Sequence, residues 1–319
     1  MQFNKNYREK YFPQLLLLIV LLVLIIFLSF QSPYFFTWKN WRNIFDTISI
    51  YILLALGMNF VIATGGIDLS QGGMIALSGI IMAIGLKADL AVYPAIALGI
   101  LAAGLMGAFN GVIIDKIKLH PFIVTLGTAS LYRGAAIIVT GGMPINGFPE
   151  TFTFWGKGGA TQLNPPILIA GMMIVVAVFL LHKTKWGQYA LAIGGNEEAL
   201  RRVGVRVSIY KVSYYVVSGI LTGIVALILT ARLNTAEANA GTMMELDAIT
   251  AVIMGGSLMS GGKAGISGTI IACLLLGVIK NGLTILSISS YYQQFIIGAL
   301  LLAAVVITEI RQRKQIKIT

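Results

Sequence analysis

Long apolar runs separated by short polar segments dominate the chain. A bilayer core of roughly 30 Å is crossed by about 20 helical residues, so each run is a candidate transmembrane helix. The pattern predicts an all-α polytopic membrane protein with about ten transmembrane helices, some of them broken. The first run is long and lacks a small-residue cleavage site, which favours an uncleaved first helix over a signal peptide. The predicted spans are 13–30, 44–64, 71–87, 91–114, 122–141, 165–182, 210–232, 244–259, 265–286 and 290–308.

The largest polar interruption is residues 183–211, which hold six of the 23 lysine and arginine residues. Such residues next to transmembrane helices stay on the cytoplasmic side. We therefore predict a cytoplasmic loop here, with both termini in the cytoplasm. Residues 1–12 are then a cytoplasmic tail, 13–309 a single transmembrane domain and 310–319 a cytoplasmic basic tail. Four basic residues fall on the outer side in this topology: Lys39, Arg42, Lys87 and Lys157.

A short helix is predicted inside this cytoplasmic loop. An asparagine follows two glycines and can cap a helix, two glutamates suit its first turn through the helix dipole, and a glycine can end it. A helix this short is marginal alone, so it needs membrane helix ends, a partner protein or both. A solvated connector without a partner is the alternative. The residues concerned are Asn196, Glu197, Glu198, Arg201, Arg202 and Gly204.

Two glycine-rich segments interrupt the apolar pattern. Residues 64–73 read TGGIDLSQGG and residues 255–262 read GGSLMSGG, so each has a glycine pair, a serine four residues later and a second glycine pair. Lipid offers no hydrogen bonds to backbone freed by such breaks, so both segments are expected to line a cavity or a protein contact. Other glycine clusters predict close helix packing: Gly104, Gly107 and Gly111, and Gly219 and Gly223.

Polar side chains inside the predicted spans are candidates for a solute pathway, because they are costly in a bilayer. Asp68 either faces a cavity or partner deep in the membrane or caps the next helix from a cytoplasmic turn. Lys280 meets the same energetic objection and can pair with an acidic residue on another helix, which the sequence does not name. The others, taken singly, more often join helices than contact a ligand. The pathway candidates are Asn59, Asp68, Ser70, Asn110, Tyr132, Arg133 and Asn281.

Composition supports a membrane protein and narrows its chemistry. Mean hydropathy is +0.86 and 57% of residues are hydrophobic. The net charge of +11 is carried mainly by loops and tails. In such a chain this charge orients the protein in a membrane and does not indicate nucleic-acid binding. The single cysteine, Cys273, and the two separated histidines, His120 and His182, indicate no disulfide framework and no metal site. No convergent catalytic set is evident, so we predict a transporter and not an enzyme.

The sequence before Lys263 resembles a nucleotide-binding P-loop but lacks its defining residues. The pattern requires a glycine at 257 and a serine or threonine at 264, where Ser257 and Ala264 stand. If transport uses ATP, another chain must hydrolyse it. No cofactor is expected in this chain.

The outer loop 142–164 is rich in glycine, proline and aromatic residues. Two interpretations are equally open. It can receive a soluble solute-carrying protein, or it can serve as a lid or an anchor at the membrane surface.

Five stretches, in this order, resemble the permease subunits of bacterial ribose-type ATP-binding-cassette (ABC) sugar importers. They are TGGIDLS at 64–70, LGTASLYRG at 126–134, AIGGNEEALRRVG at 192–204, ELDAITAVIMGG at 245–256 and NGLTILSISSYYQ at 281–293. Leu200, Gln71 and Lys280 depart from the family pattern.

The resemblance implies a permease that passes ribose or a related small sugar inward. It also implies three protein partners: a second permease copy, identical or a close paralogue; a cytoplasmic ABC ATPase that holds ATP and Mg; and an extracytoplasmic sugar-binding protein. Membrane lipid surrounds the complex, and no nucleic acid is involved. Residues 197–204 then form the coupling helix that enters a cleft of the ATPase. The alternative is an ion-coupled secondary transporter of a small polar solute that uses a carboxylate such as Asp68.

Overall fold

A computed structural model describes residues 2–158, 164–289, 291–293, 295–296, 298–303 and 306, with side chains from Gln14 onward. Seven helices in this part are long and apolar enough to cross a membrane. The chain is therefore an all-α polytopic membrane protein, as predicted. The predicted basic tail 310–319 lies outside the described residues, and the predicted span 290–308 is described only in part.

The helices follow one another with short connections. They are α1 (Gln2–Gln31), α2 (Trp38–Ala63), α3 (Gln71–Lys87), α4 (Val92–Ile117), α5 (Pro121–Thr140), α6 (Glu150–Lys157), α7 (Pro165–Lys183), α8 (Lys185–Arg202), α9 (Val207–Leu233), α10 (Met244–Met254) and α11 (Ile266–Ile285). Two short strands, β1 (Ile145–Asn146) and β2 (Thr235–Ala236), pair antiparallel. Residues 291–293 and 298–303 are also helical.

One predicted boundary needs correction. The helix expected over 244–259 ends at Met254 because the glycine pair 255–256 follows, and Gly256 has a φ of +96°. Helix α1 runs without a break from Gln2 through the rest of the predicted tail into the first predicted span.

The bundle is built around α2, in which every residue from Ile48 to Ala63 is buried. This helix packs against α7, α9, α10 and α11, while α3 packs against α4, α5 and α9. Exposed apolar side chains cover the outward faces of α1, α4, α5 and α7, for example Val23, Leu105 and Val175. Such faces suit contact with lipid tails.

Helices α4 and α9 approach each other almost backbone to backbone. A methyl group on Gly111 would lie 2.8 Å from the Cα of Val212, and one on Gly223 would lie 2.9 Å from the Cα of Ile100. The close helix packing predicted from the glycine clusters is thus confirmed for this pair.

The bundle has two distinguishable ends. At the "α8 end", α8 contacts the last residues of α2 and α4 and the first turns of α9. At the opposite "strand end", β1 and β2 pair, and the side-chain amides of Asn40 on α2 and Asn281 on α11 hydrogen-bond to each other at 2.8 and 3.1 Å. Long helices join the two ends.

Candidate functional site

The first broken segment, residues 64–70, turns back into the bundle after α2 ends at the α8 end. Gly65, with a φ of +77°, reverses the chain, and the Tyr215 hydroxyl donates to the carbonyl of Ile67 at 3.3 Å. The side-chain amide of Gln71 then donates to the carbonyl of Leu54 at 3.2 Å. At 1.5 Å per residue, Leu54 lies about 24 Å from the start of α2 and about 14 Å from its end. Helix α3 therefore begins in the interior of the bundle.

Asp68 is completely buried and receives three hydrogen bonds there. Its Oδ1 accepts from the Ser70 amide at 3.1 Å and from the Ser70 hydroxyl at 2.5 Å, and its Oδ2 accepts from the Ser218 hydroxyl of α9 at 2.7 Å. Of the two interpretations from sequence, the structure supports the interior residue with partners. Asp68 does not lie in an exposed turn.

Hydrogen bonds extend from Asp68 and its partners to side chains of α3, α4 and α5. The Asn110 amide of α4 donates to the Ser70 hydroxyl at 2.8 Å, and the Tyr132 hydroxyl of α5 lies 3.4 Å from the Asn110 side-chain oxygen. The Gln71 amide also donates to Ser218 at 3.1 Å. We call these buried side chains the central polar network: Asp68, Ser70, Gln71, Asn110, Tyr132 and Ser218.

A second irregular segment, residues 237–243, enters the bundle from the strand end. The Arg133 guanidinium of α5 donates to the carbonyl of Ala238 at 2.6 Å, and Gly241 packs against Ile75 and Gly72 of α3. Helix α10 then starts beside the start of α3. Glu237, Asn239 and Thr242 are exposed on this segment. The bundle thus presents a polar, non-helical surface next to α5.

Two buried acceptor atoms lie at these neighbouring helix starts, Gln71 Oε1 and Glu245 Oε2. Neither has a hydrogen-bond partner within the described ranges. The carboxylate of Glu245 packs directly against Gly72, where a methyl group would overlap it. Both oxygens can accept a hydrogen bond from a hydroxylated solute or a water if the surrounding helices open.

Lys280 pairs with an acidic residue on another helix, one of the arrangements that the sequence allowed. Its Nζ lies 2.6 Å from Asp247 Oδ2 of α10 and 2.8 Å from the Tyr51 hydroxyl of α2, and it lies 4.5 Å from the centre of the Tyr51 ring. This buried ion pair joins the short helix α10 to both α11 and α2.

Three pathway candidates lie outside the central polar network. Asn59 donates to the Thr269 hydroxyl at 2.7 Å and joins α2 to α11, Asn281 bonds Asn40 at the strand end, and Arg133 holds the segment 237–243. Sequence reasoning brought Asp68, Ser70, Asn110 and Tyr132 into one list, and the structure brings these four together.

The short helix predicted around Glu197 forms the second half of α8. Asn196 has non-helical backbone angles and its side chain accepts from the Ala199 amide at 2.9 Å, while Gly204 has a φ of +83°. Both predicted end signals are confirmed. The first half of α8 was not predicted, and it packs through Trp186 against Phe60 and Tyr214.

The two faces of this second half differ. Glu197 and Arg201 are paired at 2.7 Å and face the bundle, whereas Glu198 and Arg202 are paired at 2.5 Å and face away from it, beside the exposed Val203. Partial burial would raise the pKa of Glu197, but hydrogen bonds from Lys211 and Arg201 outweigh burial and hold this pKa below its ordinary value. The Glu197 carboxylate is therefore charged at neutral pH.

Both glycine-rich segments meet α8 at one point, which we call the glycine junction (Gly65, Gly194 and Gly261). A methyl group on Gly261 would lie 2.6 Å from the Gly65 nitrogen and 2.7 Å from the Gly194 Cα. The amide of Gly262 donates to the carbonyl of Ala63 at 3.0 Å. The backbones of the two segments are thus in direct contact at this point.

Several residues of the site were missed from the sequence. Asp247 lies in an apolar run, where a carboxylate is as costly in a bilayer as at Asp68. The sequence therefore contained a signal for Asp247. Asp115 and Lys211, at the ends of predicted spans, carried only the signal of ordinary helix-end charges. Ser218 carried none.

The chain can be assigned to a protein class. Residues 40–305 match the family described as the permease component of the branched-chain amino acid transport system. The match covers more than half of the chain, so the chain belongs to this family of membrane permeases.

Similarity to individual relatives extends over almost the whole chain. It is 42% identical over 301 residues to the ribose import permease protein RbsC of Escherichia coli K12, covering 92% of this chain and 93% of that protein. RbsC of Bacillus subtilis 168 is 39% identical over 282 residues, 88% of each chain. The D-allose transport system permease protein AlsC of Escherichia coli K12 is 34% identical over 280 residues, 88% of this chain and 86% of that protein. No solved structure matches.

These similarities confirm the predicted resemblance to permeases of ribose-type ABC importers. Together with the apolar helices, they identify a multi-pass protein of the bacterial inner membrane.

Proposed function

We propose that this chain is the membrane-spanning permease of an ATP-driven importer and passes ribose, or a related small sugar, into the cell. One observation carries the proposal: two irregular segments, 64–70 and 237–243, lead into the neighbouring starts of α3 and α10 in a bundle whose outward faces are apolar. Backbone of this kind is tolerated at membrane depth where it is covered by protein or lines a water-filled cavity. The named relatives import ribose and allose.

The topology follows from the charge of the α8 end. Residues 183–211 are basic, which favours the cytoplasm for this end. The chain then makes ten passes with both termini inside. Helices α3 and α10 cover part of the bilayer each, and the segments 64–70 and 237–243 complete their passes.

The sugar pathway in this proposal runs along the exposed segment 237–243 and the neighbouring face of α5. Glu237, Asn239 and Thr242 are exposed there and are poorly suited to lipid. A second permease copy, identical or paralogous, would cover this face and close a polar channel. The central polar network lies just behind it and holds the start of α3.

Two further partners complete the importer. A cytoplasmic ABC ATPase, which holds ATP and Mg, docks on the outward face of α8 formed by Glu198, Arg202 and Val203. An extracytoplasmic sugar-binding protein docks at the strand end, where α6 exposes Glu150 and Phe154. Exposed side chains at both ends leave these surfaces open for contact.

The test is reconstitution of the chain in liposomes with its candidate ATPase and sugar-binding protein. We expect uptake of labelled ribose, and this uptake should require ATP and all three proteins. Other small sugars should inhibit ribose uptake more strongly than leucine does. Uptake of leucine without sugar would assign the substrate class in the family description instead. Uptake by this chain alone under an ion gradient would refute the importer.

A matched pair of variants tests the pathway. Thr242→Trp places a large ring on the segment 237–243 and should block uptake. Val175→Trp places the same ring on an exposed apolar face of α7 and should leave uptake unchanged. Equal uptake by both variants would contradict the proposed pathway.

A further inference from the structure

The inner face of α8 is tied to two membrane helices by ion pairs. Arg201 lies 3.5 Å from Asp115 at the end of α4, and Lys211 in the first turns of α9 lies 2.9 Å from Glu197. The Asp115 side chain is 6% exposed and that of Lys211 is 18% exposed. Their partners Arg201 and Glu197 are 40% and 33% exposed, so each pair is half-buried and is screened by salt less than a fully exposed pair.

The same two helices hold the central polar network. Asn110 of α4, which donates to Ser70, lies about 8 Å along the helix from Asp115, and Ser218 of α9, which donates to Asp68, lies about 10 Å from Lys211. Each helix therefore contacts α8 with one residue and the broken segment 64–70 with another.

Between these two levels α4 and α9 cannot slide past each other easily. The Gly111 contact with Val212 brings the backbones together between the ion pairs and the network, and the Gly107 contact with Tyr215 does so beside the network, on its far side from Asp115. Close-packed interfaces tend to shift as units and do not deform continuously. A displacement of α8 is thus passed to the Asn110 and Ser218 donors by a rigid helix pair.

We infer that Asp115 and Lys211 are positioning residues that couple movement of α8 to the central polar network. This inference rests on the proposed function, because the movement originates in the ATPase docked on α8. The two faces of the second half of α8 have different roles in this inference. Glu198 and Arg202 contact the ATPase, while Glu197 and Arg201 transmit the movement of α8 to α9 and α4, respectively.

The experiment measures sugar molecules imported per ATP hydrolysed by the reconstituted importer. Asp115→Asn and Lys211→Gln should lower this ratio by roughly threefold to tenfold, the range open to loss of a partly buried ion pair. Binding of the ATPase should stay within about twofold of wild type, because the outer face of α8 is unchanged. Lys211→Arg should restore the ratio. A merely structural role would lower the amount of folded importer without changing the ratio.

Two controls separate the outcomes. Lys118→Gln removes the 63% exposed partner of Asp115 and should leave the ratio unchanged. Glu198→Arg should weaken ATPase binding instead. An unchanged ratio in both Asp115→Asn and Lys211→Gln overturns the inference while ATP-driven uptake by wild type still upholds the importer. Absence of ATP-driven uptake in wild type overturns both.

A second measurement needs this chain alone. A spin label on Val203→Cys reports α8 specifically, since the native Cys273 is buried. The label should become more mobile in Asp115→Asn and in Lys211→Gln, and equal mobility in the wild-type and variant backgrounds would count against the link.

Discussion

Removal of the Lys280 ammonium group should be among the most destabilising single changes in the bundle. Lys280→Met keeps a long apolar stem but leaves Asp247, whose side chain is 5% exposed, without the cation at 2.6 Å. Breaking a buried ion pair by deleting one partner costs about 3–5 kcal/mol. At about 2–4 °C per kcal/mol for a large domain, the midpoint of thermal unfolding should fall by roughly 6–20 °C.

The double variant Lys280→Met, Asp247→Leu distinguishes the buried charge from lost packing. Replacing both partners by apolar residues is often neutral, so its stability should return to within about 1 kcal/mol of wild type. Thermal unfolding in detergent, followed by intrinsic fluorescence, measures all variants, with Lys39→Met on an exposed first turn as control. A single variant as stable as wild type, or a double variant as unstable as the single one, would refute the reasoning.

Three other changes have defined outcomes. Gly194→Ala should cost about 1–3 kcal/mol of stability because its methyl group overlaps the Ala63 carbonyl, whereas Gly195→Ala has free space and should be neutral; equal thermal midpoints would contradict the glycine junction. Ser218→Ala should cost about 1–3 kcal/mol because it removes a donor to buried Asp68, whereas Ser130→Ala on an exposed face should change stability by under about 0.5 kcal/mol. The lowered pKa of Glu197 keeps its ion pairs intact as pH falls from neutral to its unperturbed value of 4.5 and breaks them only below that, so a spin label at residue 203 that loosens between about pH 7 and 5 would contradict this sign.

Much of the site could be predicted because membranes penalise polar groups strongly. The free-energy cost of a carboxylate in a bilayer is enough to single out Asp68, and the end of α3 coincides with Lys87, the charged residue that closes its apolar run. The capped helix at Asn196 was readable because its signals are local. Each of these predictions depends on a few neighbouring residues.

What could not be predicted depends on distant partners. The Ser218 donor to Asp68 is 150 residues away along the chain, and nothing in the sequence around Ser218 marks it out. The sequence predicts a polar connector where the first half of α8 forms. This half is stabilised by Trp186, which packs on α2 and α9, and such distant contacts cannot be recognised from neighbouring residues. The early end of α10 was missed because residues after the glycine pair remain apolar enough to extend the predicted span.

The long separation between Asp68 and Ser218 also bears on how the protein is made. A ribosome adding about 5–20 residues per second needs roughly 8–30 s to synthesise the 150 residues between them. During that time the nascent α2–α3 hairpin carries a carboxylate whose donor on α9 does not yet exist. Until α9 emerges, Asp68 can be held by its two hydrogen bonds from Ser70 while the third donor, Ser218, is still missing, so we expect this segment to stay out of bulk lipid until α9 has been made.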